Sequence, residues 1–326
     1  MTDPCLLIGD IGGTNARFAL AHPFDPGFSA ELTLACADYP SAERAIAAYL
    51  QRRGIAQVDA ICLACAGPVL NDSVNIINNH WMIDSAALRQ KFPSAAVLLL
   101  NDFEAIACSI PLLVDSDLMN IGVVPSALQD NRDFTIAVLG PGTGLGIGGL
   151  LGRGGGIYPV VGEGGHAGFA PESPVQHKVL RKARQDFERV SNERLISGPG
   201  LENIYRALCR VHGEPENGIT AAEVFSRVLA SEDTIATEAT QLFFEALGQV
   251  AGDLVLTLGA YDGVFLAGGI LKRYPDLLKA SDFRAGFESK GRHRGLMEKV
   301  PISLILHPQP GLLGASLRAR ELHRQR

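Results

Sequence analysis

The stretch LLIGDIGGTNARFAL, residues 6–20, decides the fold. Its apolar start predicts a buried strand that reaches one acidic residue, Asp10, and then a glycine turn at 12–15. A second apolar stretch, 16–21, follows at once and predicts another strand, where a Walker A loop would lead into a helix. The Walker A lysine is also missing, because the chain contains no Gly-Lys dipeptide. The sequence therefore presents an unusual unit, a strand–turn–strand with a carboxylate beside the glycines.

The same arrangement occurs a second time along the chain. The apolar segment 133–140 leads to a turn at 142–144, and a further apolar segment, 145–151, follows directly. After each unit, strand patterns alternate with helical periodicity, which is typical of α/β domains. A chain of 326 residues is long enough for two domains. We predict two similar α/β domains that flank a cleft, a small one from residues 1–111 and 312–326 and a large one from residues 112–311.

Composition narrows the class of protein. The chain has 29 Lys and Arg against 35 Asp and Glu, a net charge of −6, which argues against a nucleic-acid partner. No apolar run approaches the length of a membrane span and no signal-peptide pattern is visible, so we expect a cytoplasmic protein without a membrane partner. Among the six cysteines only Cys62 and Cys65 have CxxC spacing. Strand alternation puts their thiols on opposite faces, which favours buried hydrophobic roles over a redox or zinc role.

Three glycine turns follow apolar strands and predict anion binding. Backbone N–H groups of such turns approach a phosphate without obstruction by side chains. The GxGxxG spacing of Gly144, Gly146 and Gly149 is interpreted as chance, since this segment is strand-like. Each turn alone could be a tight hairpin, but three in order along two α/β units favour phosphate binding. The turns consist of Gly12, Gly13, Thr14 and Asn15; of Gly142, Thr143 and Gly144; and of Gly268 and Gly269.

Asp10 places a carboxylate next to the first turn. A carboxylate beside a phosphate is repulsive unless a cation lies between them. Magnesium prefers oxygen ligands and keeps most of its waters. We therefore predict that Asp10 is a Mg²⁺ partner, directly or through water; the alternative is a turn-capping aspartate.

The segment LLLNDFEAIA, residues 98–107, places Asn101 and Asp102 where a buried strand gives way to a helix. Ligands bind α/β sheets at the carboxyl ends of strands. Asn101 and Glu104 also have the spacing of a capping box, so a structural role and a ligand role are both open. A helix N-terminus favours the ionised carboxylate, and an ionised aspartate can accept a hydroxyl proton as an alcohol attacks phosphorus. Asp102 is therefore the candidate catalytic base.

A glycine-rich loop, VVGEGGHAGFAP at residues 160–171, carries Glu163 and His166. Their spacing would suit two metal ligands on a helix, but the intervening Gly-Gly argues against a helix. We interpret the loop as one that presents acceptors and a donor to sugar hydroxyls; the alternative is a flexible surface loop. Glu193 precedes a helix expected to begin near Pro199, and its own pattern indicates little.

Together these motifs resemble the bacterial ATP-dependent glucokinases. The resemblance implies the actin-like ATPase fold of the hexokinases, with two ribonuclease-H-like α/β domains that close on a cleft. It also implies transfer of the γ-phosphoryl group of ATP to the 6-hydroxyl of D-glucose, the entry step of glycolysis, by a homodimer. The segments that carry it occur in the family's order across nearly the whole chain: GDIGGTNARFAL, NDFEAIA, GPGTGLGIGGL, GEGGHAGFAP, ERLISGPGL, FLAGGIL and GFESKGR.

The resemblance also implies roles for single residues. Asp102 is expected to be the base on the glucose 6-hydroxyl, and Asp10 to face the Mg²⁺ that accompanies ATP. The residues expected to bind glucose are Asn101, Asp102, Glu163, His166 and Glu193. The residues expected to bind ATP are Asp10, Gly12, Gly13, Thr14, Asn15, Gly142, Thr143, Gly144, Gly268 and Gly269.

Neighbouring families supply the alternatives. The repressor and kinase group of sugar kinases carries a CxCGxxGCxE zinc cluster, but residues 167–177 contain no cysteine, so no structural zinc is expected. Asp10 comes too early for a preceding helix-turn-helix segment, which argues against a sugar-sensing transcription factor. A kinase for another hexose, or one that uses ADP or polyphosphate, stays open. A further alternative is an actin-like or chaperone-like nucleotide switch, which should hydrolyse ATP without sugar.

Overall fold

A computed structural model describes residues 3–122 and 133–325 of the chain. Its contacts divide the chain into two compact units. The first unit contains the chain up to Asp115, the segment Pro159–Gly162 and the chain from His307 onward, whereas the second contains Ser116–Tyr158 and Glu163–Leu306. The first unit is therefore built from separate pieces of the sequence. The domain boundaries expected at 111/112 and 311/312 stay a prediction.

A five-stranded mixed sheet forms the centre of the first unit. The strands of this unit are β1 (Leu6–Ile11), β2 (Asn15–Ala21), β3 (Phe28–Ala35), β4 (Ala60–Cys65), β5 (Ser73–Asn75), β6 (Met82–Asp84) and β7 (Ala96–Asn101). Five of them form the sheet in the order β3-β2-β1-β4-β7, and β5 and β6 pair separately. β1 is antiparallel to β2 and parallel to β4, which is parallel to β7. The carboxyl ends of β1, β4 and β7 therefore lie at the same edge of the sheet.

Helices form from the amphipathic segments between these strands. They are α1 (Ala42–Arg53), α2 (Ser85–Lys91), α3 (Asp102–Ser109) and the C-terminal helix (Pro310–Arg324). One face of the sheet packs in a core with α1 and α2, through residues such as Leu7, Tyr49 and Leu88. The other face packs with α3 and the C-terminal helix, through residues such as Ile8, Ala105 and Leu312. Each face of the sheet is thus buried, as the continuous apolar pattern of β7 predicts.

Cys62 and Cys65 lie where strand alternation predicts, buried and on opposite faces of the sheet. Both are fully buried free thiols of β4. Cys62 belongs to the core that contains Leu312, and Cys65 to the core that contains Trp81, so the two side chains point to opposite faces. Burial raises the pKa of both thiols. They contribute apolar packing and stay in the unreactive thiol form.

A six-stranded sheet forms the centre of the second unit. Its strands are β8 (Leu118–Asn120), β9 (Phe134–Pro141), β10 (Leu145–Arg153), β11 (Gly156–Gly162), β12 (Gly263–Leu266) and β13 (Ile302–Ile305), in the order β11-β10-β9-β12-β13-β8. Residues 159–162 of β11 are the segment assigned to the first unit. β9 is antiparallel to β10 and parallel to β12. The helices are α4 (Pro174–Ala183), α5 (Gly198–His212), α6 (Ala221–Ala230), α7 (Thr234–Leu258), α8 (Gly269–Arg273), α9 (Pro275–Ala280), α10 (Phe283–Glu288) and α11 (Arg294–Met297). They bury a single large core around α7.

One helix differs from the sequence pattern at its start, and one strand agrees with it. The pattern predicts a helix from residue 238, but α7 begins at Thr234, where the Asp233 side chain accepts a hydrogen bond from the Ala236 N–H. The apolar run 263–270 predicts a strand that runs into a glycine turn, and this is confirmed, because β12 ends at Leu266 and the glycines at 268 and 269 lead into α8. Among the described helices, none combines the length and the apolar character that crossing a bilayer requires.

Candidate active site

The first glycine turn joins β1 to β2 at the edge of the five-stranded sheet. Gly12 N–H donates to the Asn15 carbonyl at 3.0 Å, which closes the turn, and Thr14 and Asn15 are exposed. The strand–turn–strand arrangement expected from the sequence is confirmed. A cavity of about 260 Å³ adjoins the turn and is lined by Asp10, Gly12, Thr14, Asn15 and Arg17. This turn therefore presents backbone amides and a hydroxyl to an open space.

Two residues outside the motif support this turn from behind. Cys36 N–H donates to the Thr14 carbonyl at 2.9 Å, and Asn79 Nδ2 donates to the Gly12 carbonyl at 3.4 Å. A second cavity, of about 470 Å³, is lined by Gly13, Thr14, Cys36, Ala37, Asn78, Asn79 and His80. The sequence did not indicate the segment around Asn79, because it is the loop of a short hairpin, β5 and β6, whose strands show no periodic pattern.

Asp10 faces a cation of the protein itself. Arg17 Nη1 lies 3.6 Å from Asp10 Oδ2 and donates to Gln309 Oε1 at 2.6 Å. Burial raises the pKa of the Asp10 carboxyl, and the Arg17 guanidinium opposes that shift. Neither Arg17 nor Gln309 was a predicted site residue; Arg17 lies within the opening motif, seven residues after Asp10, on the paired strand.

The surroundings of Asp10 fit a magnesium ion only in part. Within residues 3–122 and 133–325, no group of three or more His, Cys, Asp or Glu side chains could hold a metal. A single carboxylate beside an open cavity fits an ion that keeps its waters and takes other oxygens from phosphate. The magnesium role of Asp10 therefore stays a prediction.

Asn101 and Asp102 occupy the junction of β7 and α3, as expected. Asn101 Oδ1 accepts from Phe103 N–H at 2.9 Å, and Glu104 Oε2 accepts from Asn101 N–H at 3.3 Å, so the predicted capping box is confirmed. Asn101 Nδ2 also donates to the Gly67 carbonyl at 3.1 Å. Asp102 is the first residue of α3 and is half-buried. The strand end and the helix cap thus fix the backbone that carries the Asp102 carboxylate.

The second glycine turn joins β9 to β10 in the second unit. Gly142 N–H donates to the Gly144 carbonyl at 2.8 Å, and Thr143 is exposed. Gly146 and Gly149 lie within β10, so the strand interpretation of the GxGxxG spacing is confirmed. The turn has the same construction as the first one, with backbone amides and one hydroxyl at its tip.

Gly268 lies against this second turn. Its φ is +100°, a conformation that favours glycine, and a Cβ atom there would lie 2.5 Å from the Pro141 carbonyl oxygen. Gly269 then begins α8, and a Cβ atom built on it would meet open space. Gly268 therefore allows the close approach of the Pro141 carbonyl, and Gly269 leaves open space beside it. The glycines also explain why the strand ends at Leu266.

The loop at residues 160–171 is predicted to bind sugar and is named the sugar loop for that reason. Its centre is compact. Residues Gly164–His166 form one 3₁₀ turn, and Glu163 and His166 are exposed. Arg189 Nη1 donates to the His166 carbonyl at 2.7 Å, and Glu193 N–H donates to the Gly165 carbonyl at 2.9 Å. The residues around Glu193 therefore hold the loop in place.

Glu193 lies between the sugar loop and the second glycine turn. Its Oε1 lies 4.0 Å from His166 Nδ1, and its Oε2 accepts from Leu145 N–H at 2.9 Å. The sequence alone did not single out Glu193, because the residues that its side chain contacts lie 27 and 48 positions away. The second unit thus brings together Glu193, His166 and the turn at 142–144, while the first unit brings together Asp10 and the turn at 12–15.

Known proteins resemble the chain over nearly its whole length. Residues 7–322 match the family model described as Glucokinase. A glucokinase of Marinobacter nauticus is 41% identical over 310 residues, which cover 95% of each chain. The solved glucokinase of an Antarctic psychrotroph has a TM-score of 0.88 at 32% identity, over 99% of this chain and 100% of that one. A ROK family glucokinase from Streptomyces griseus, in complex with glucose and AMPPNP, shares the fold with a TM-score of 0.63 at 19% identity, over 97% and 99% of the two chains.

Proposed function

Because the chain belongs to the glucokinase family, we propose that it transfers the γ-phosphoryl group of ATP to the 6-hydroxyl of D-glucose. The products are glucose 6-phosphate and ADP. The observation that carries the proposal is the family match over residues 7–322, which includes every predicted site residue. The fold is that of the actin-like ATPase sugar kinases.

In the first unit, Asp102 is the proposed general base. Its position at the first residue of α3 favours the ionised carboxylate through the helix dipole. Asp102 would accept the proton of the 6-hydroxyl as that oxygen attacks the γ-phosphorus and the bond to the β-phosphate oxygen breaks. The N–H groups and the Thr14 hydroxyl of the first turn would donate to phosphate oxygens.

In the second unit, the turn at 142–144 would donate to phosphate oxygens in the same way, and Gly268 and Gly269 would leave room for the adenosine. Glu163, His166 and Glu193 would bind the sugar hydroxyls, with Asn101 of the first unit as a further ligand. The charge neutralisation that phosphoryl transfer requires would come from Mg²⁺ bound with ATP, which Asp10 would hold through water.

A coupled assay across acceptors and donors tests the proposal. The purified protein is offered glucose, mannose, fructose, galactose and N-acetylglucosamine, each with ATP, ADP or polyphosphate, and with Mg²⁺ or EDTA. We expect the highest kcat/KM for glucose with ATP, and no turnover in EDTA. Another preferred hexose or donor would redirect the proposal to that kinase, and ATP hydrolysis that glucose does not stimulate would overturn it in favour of a nucleotide switch.

A cytoplasmic location and a homodimer belong to the same proposal. They are what the glucokinase resemblance implies. Light scattering coupled to size exclusion should give twice the chain mass of 34.7 kDa, and a monomer at micromolar concentration would remove the dimer from the proposal.

A further inference from the structure

The Glu193 carboxylate touches two parts of the second unit that have separate proposed tasks. Oε1 points to the sugar loop, 4.0 Å from His166 Nδ1. Oε2 accepts a hydrogen bond from Leu145 N–H at 2.9 Å, and Leu145 directly follows the glycine turn at 142–144. The side chain is about 29% exposed, so it is shielded from most of the solvent that would screen these contacts. One side chain therefore bridges the loop that would bind sugar and the turn that would bind phosphate.

The backbone around Glu193 strengthens the same connection. Gly198 N–H donates to the Gly142 carbonyl at 2.8 Å, and Ser197 Oγ donates to the Glu193 carbonyl at 2.8 Å. On the loop side, a Cβ atom at Gly165 would lie 2.1 Å from the Leu145 carbonyl oxygen, so the two backbones are in direct contact. The segment from Glu193 to Gly198 is thus anchored on the turn at both ends.

Gly144 has a specific reason to be glycine. A Cβ atom at this position would lie 2.5 Å from Glu193 Oε2, too close for any real contact. Gly142, two residues earlier in the same turn, differs, because a Cβ atom there meets nothing within 4 Å. The backbone of Gly144 has no left-handed conformation that would require glycine, so the main effect of a side chain there would be to displace the Glu193 carboxylate.

We propose that Gly144 is a positioning residue for glucose binding, and that Glu193 couples the glucose site to the nucleotide site. This inference rests on the proposed function. Without a side chain at 144, the carboxylate reaches Leu145 N–H and stays oriented towards the sugar loop. A shift of the turn when phosphate binds moves the donor of that hydrogen bond, and a sugar hydroxyl on Oε1 changes its strength. Coupling of this kind is reciprocal, so glucose must change nucleotide affinity by the same factor as nucleotide changes glucose affinity.

The experiment compares Gly144→Ala with Gly295→Ala, a glycine of α11 that has no role in the proposed site. Calorimetric titration gives the Kd of glucose without nucleotide, and the Kd of AMPPNP with Mg²⁺ in the absence and presence of glucose. We expect Gly144→Ala to raise the glucose Kd by at least about tenfold, the scale of one lost hydrogen bond to a charged group. We expect Gly295→Ala, where a Cβ atom meets nothing within 4 Å, to change the glucose Kd by less than about twofold. Equal glucose affinities in the two variants would overturn the positioning role.

The ratio of AMPPNP Kd values without and with glucose measures the coupling. It should differ from one in the wild type, keep its value in Gly295→Ala and fall towards one in Gly144→Ala. A wild-type ratio of one, or an unchanged ratio in Gly144→Ala, would overturn the coupling. A wild type that phosphorylates no glucose fails earlier, in the coupled assay, and thereby overturns the proposed function as well.

A double-mutant cycle separates this role from a general loss of structure. In the Glu193→Ala background no carboxylate lies near position 144, so adding Gly144→Ala should cause no further loss of kcat/KM for glucose. Additive losses would show that Gly144 acts on something other than Glu193. If Gly144→Ala alone does not fold, Glu193→Gln provides the same test, because it keeps the side-chain shape and should still weaken the dependence of AMPPNP affinity on glucose.

Discussion

At the scale of single residues, Asn101 and Asp102 are neighbours with different tasks. Both polar atoms of the Asn101 side chain make structural hydrogen bonds, since Oδ1 caps α3 and Nδ2 donates to the Gly67 carbonyl. Asp102 is the first residue of the helix, where the dipole favours a negative charge. Because Asn101 fixes the position of Asp102, a change at Asn101 should affect both helix stability and catalysis.

Asp102→Asn tests the proposed base. The amide has nearly the same size as the carboxylate and cannot accept the proton, so we expect kcat to fall by about 10²–10⁴-fold while the glucose KM changes less. Glu104→Gln is the matched control on the same helix, because glutamine also serves in a capping box, and it should retain kcat within a few-fold. Steady-state kinetics with saturating ATP measure kcat and the glucose KM of both variants. Near-wild-type turnover in Asp102→Asn would exclude Asp102 as the base.

The sequence predicted those site residues whose contacts are local. The turn at 12–15 and the capping box at Asn101 follow from residues within a few positions of one another. Gln309 binds Arg17 across 292 positions of sequence, and Asn79 binds Gly12 across 67. No local spacing signals such contacts, because the sheet register and the return of the chain create them. The link between Glu193 and Leu145 is of the same kind.

At the scale of elements, the crossing of α3 and the C-terminal helix supports the backbone that carries Asp102, the proposed base. A Cβ atom at Gly314 would lie 1.7 Å from the Ala105 carbonyl oxygen, so the backbones of the two helices touch. Ala105 lies one turn along α3 from Asp102. The position of the C-terminal helix thus determines how deeply α3 lies on the sheet.

Gly314→Ala should therefore destabilise the protein strongly. The methyl group has no space unless the helices separate, and we expect a loss of about 3 kcal/mol in the free energy of unfolding, at the upper end for an overpacked core. Gly295→Ala in α11 is the control, because a Cβ atom there meets nothing within 4 Å, and it should stabilise by about 0.5 kcal/mol. Urea denaturation measures both. Similar midpoints for the two variants would contradict the close crossing.

The packing of α4 on α7 gives a pH-dependent prediction. Gln176 Nε2 donates to Glu245 Oε2 and Gln249 Oε1, both at 3.0 Å. Burial raises the pKa of the Glu245 carboxyl, and Gln176 partly offsets the shift. The folded protein therefore binds this proton more tightly than the unfolded chain, and ionised Glu245 costs stability once the pH exceeds the raised pKa.

Glu245→Gln should accordingly raise the thermal midpoint at pH 7. The gain should shrink as the pH falls through the raised pKa and vanish below about pH 4, where the carboxyl is protonated in both states. Thermal unfolding followed by circular dichroism between pH 7 and pH 4 gives the profile, with the exposed Glu188→Gln as the control. A difference between Glu245→Gln and wild type that does not depend on pH would show that charge is not the cause.

Elements with strong periodicity were predicted well, and their ends less so. The apolar spacing of residues 41–53 predicts a helix, and α1 is present at Ala42–Arg53 with Ser41 at its N-cap position. The apolar pattern places the start of α7 four residues too late. Residues 234–237 add little to that pattern, and the N-cap at Asp233 is what marks the beginning of the helix. The short pair β5 and β6 has too few residues for a period to show.

At the scale of the whole molecule, each unit has cores of its own. The second unit contains one large core, and the first contains one core on each face of its sheet. The core on the second face of the first unit needs the C-terminal helix, which contributes Leu312, Ala315 and Ala319. The first unit is therefore incomplete until the last twenty residues of the chain are present.

A chain that ends at Leu306 tests this dependence. We expect the second unit to remain helical, whereas the first unit loses its compact state because one face of its sheet is uncovered. Trp81, the single tryptophan, lies in the first unit with 2% exposure, so its fluorescence should shift to longer wavelength. Limited proteolysis should then cut within residues 3–115 before it cuts α7. A native emission spectrum would contradict the prediction.

The split first unit also has a consequence for synthesis on the ribosome. About 190 residues separate Asp115 from His307, so at about 5–20 residues per second the early strands wait roughly 10–40 s for their final helix. During that interval the nascent chain exposes the sheet face around Ile8 and Cys62, a surface that ribosome-associated chaperones bind. Translation that stops early yields chains with an unsupported α3. Synthesis of the last helix is thereby a condition for the compact state of the first unit.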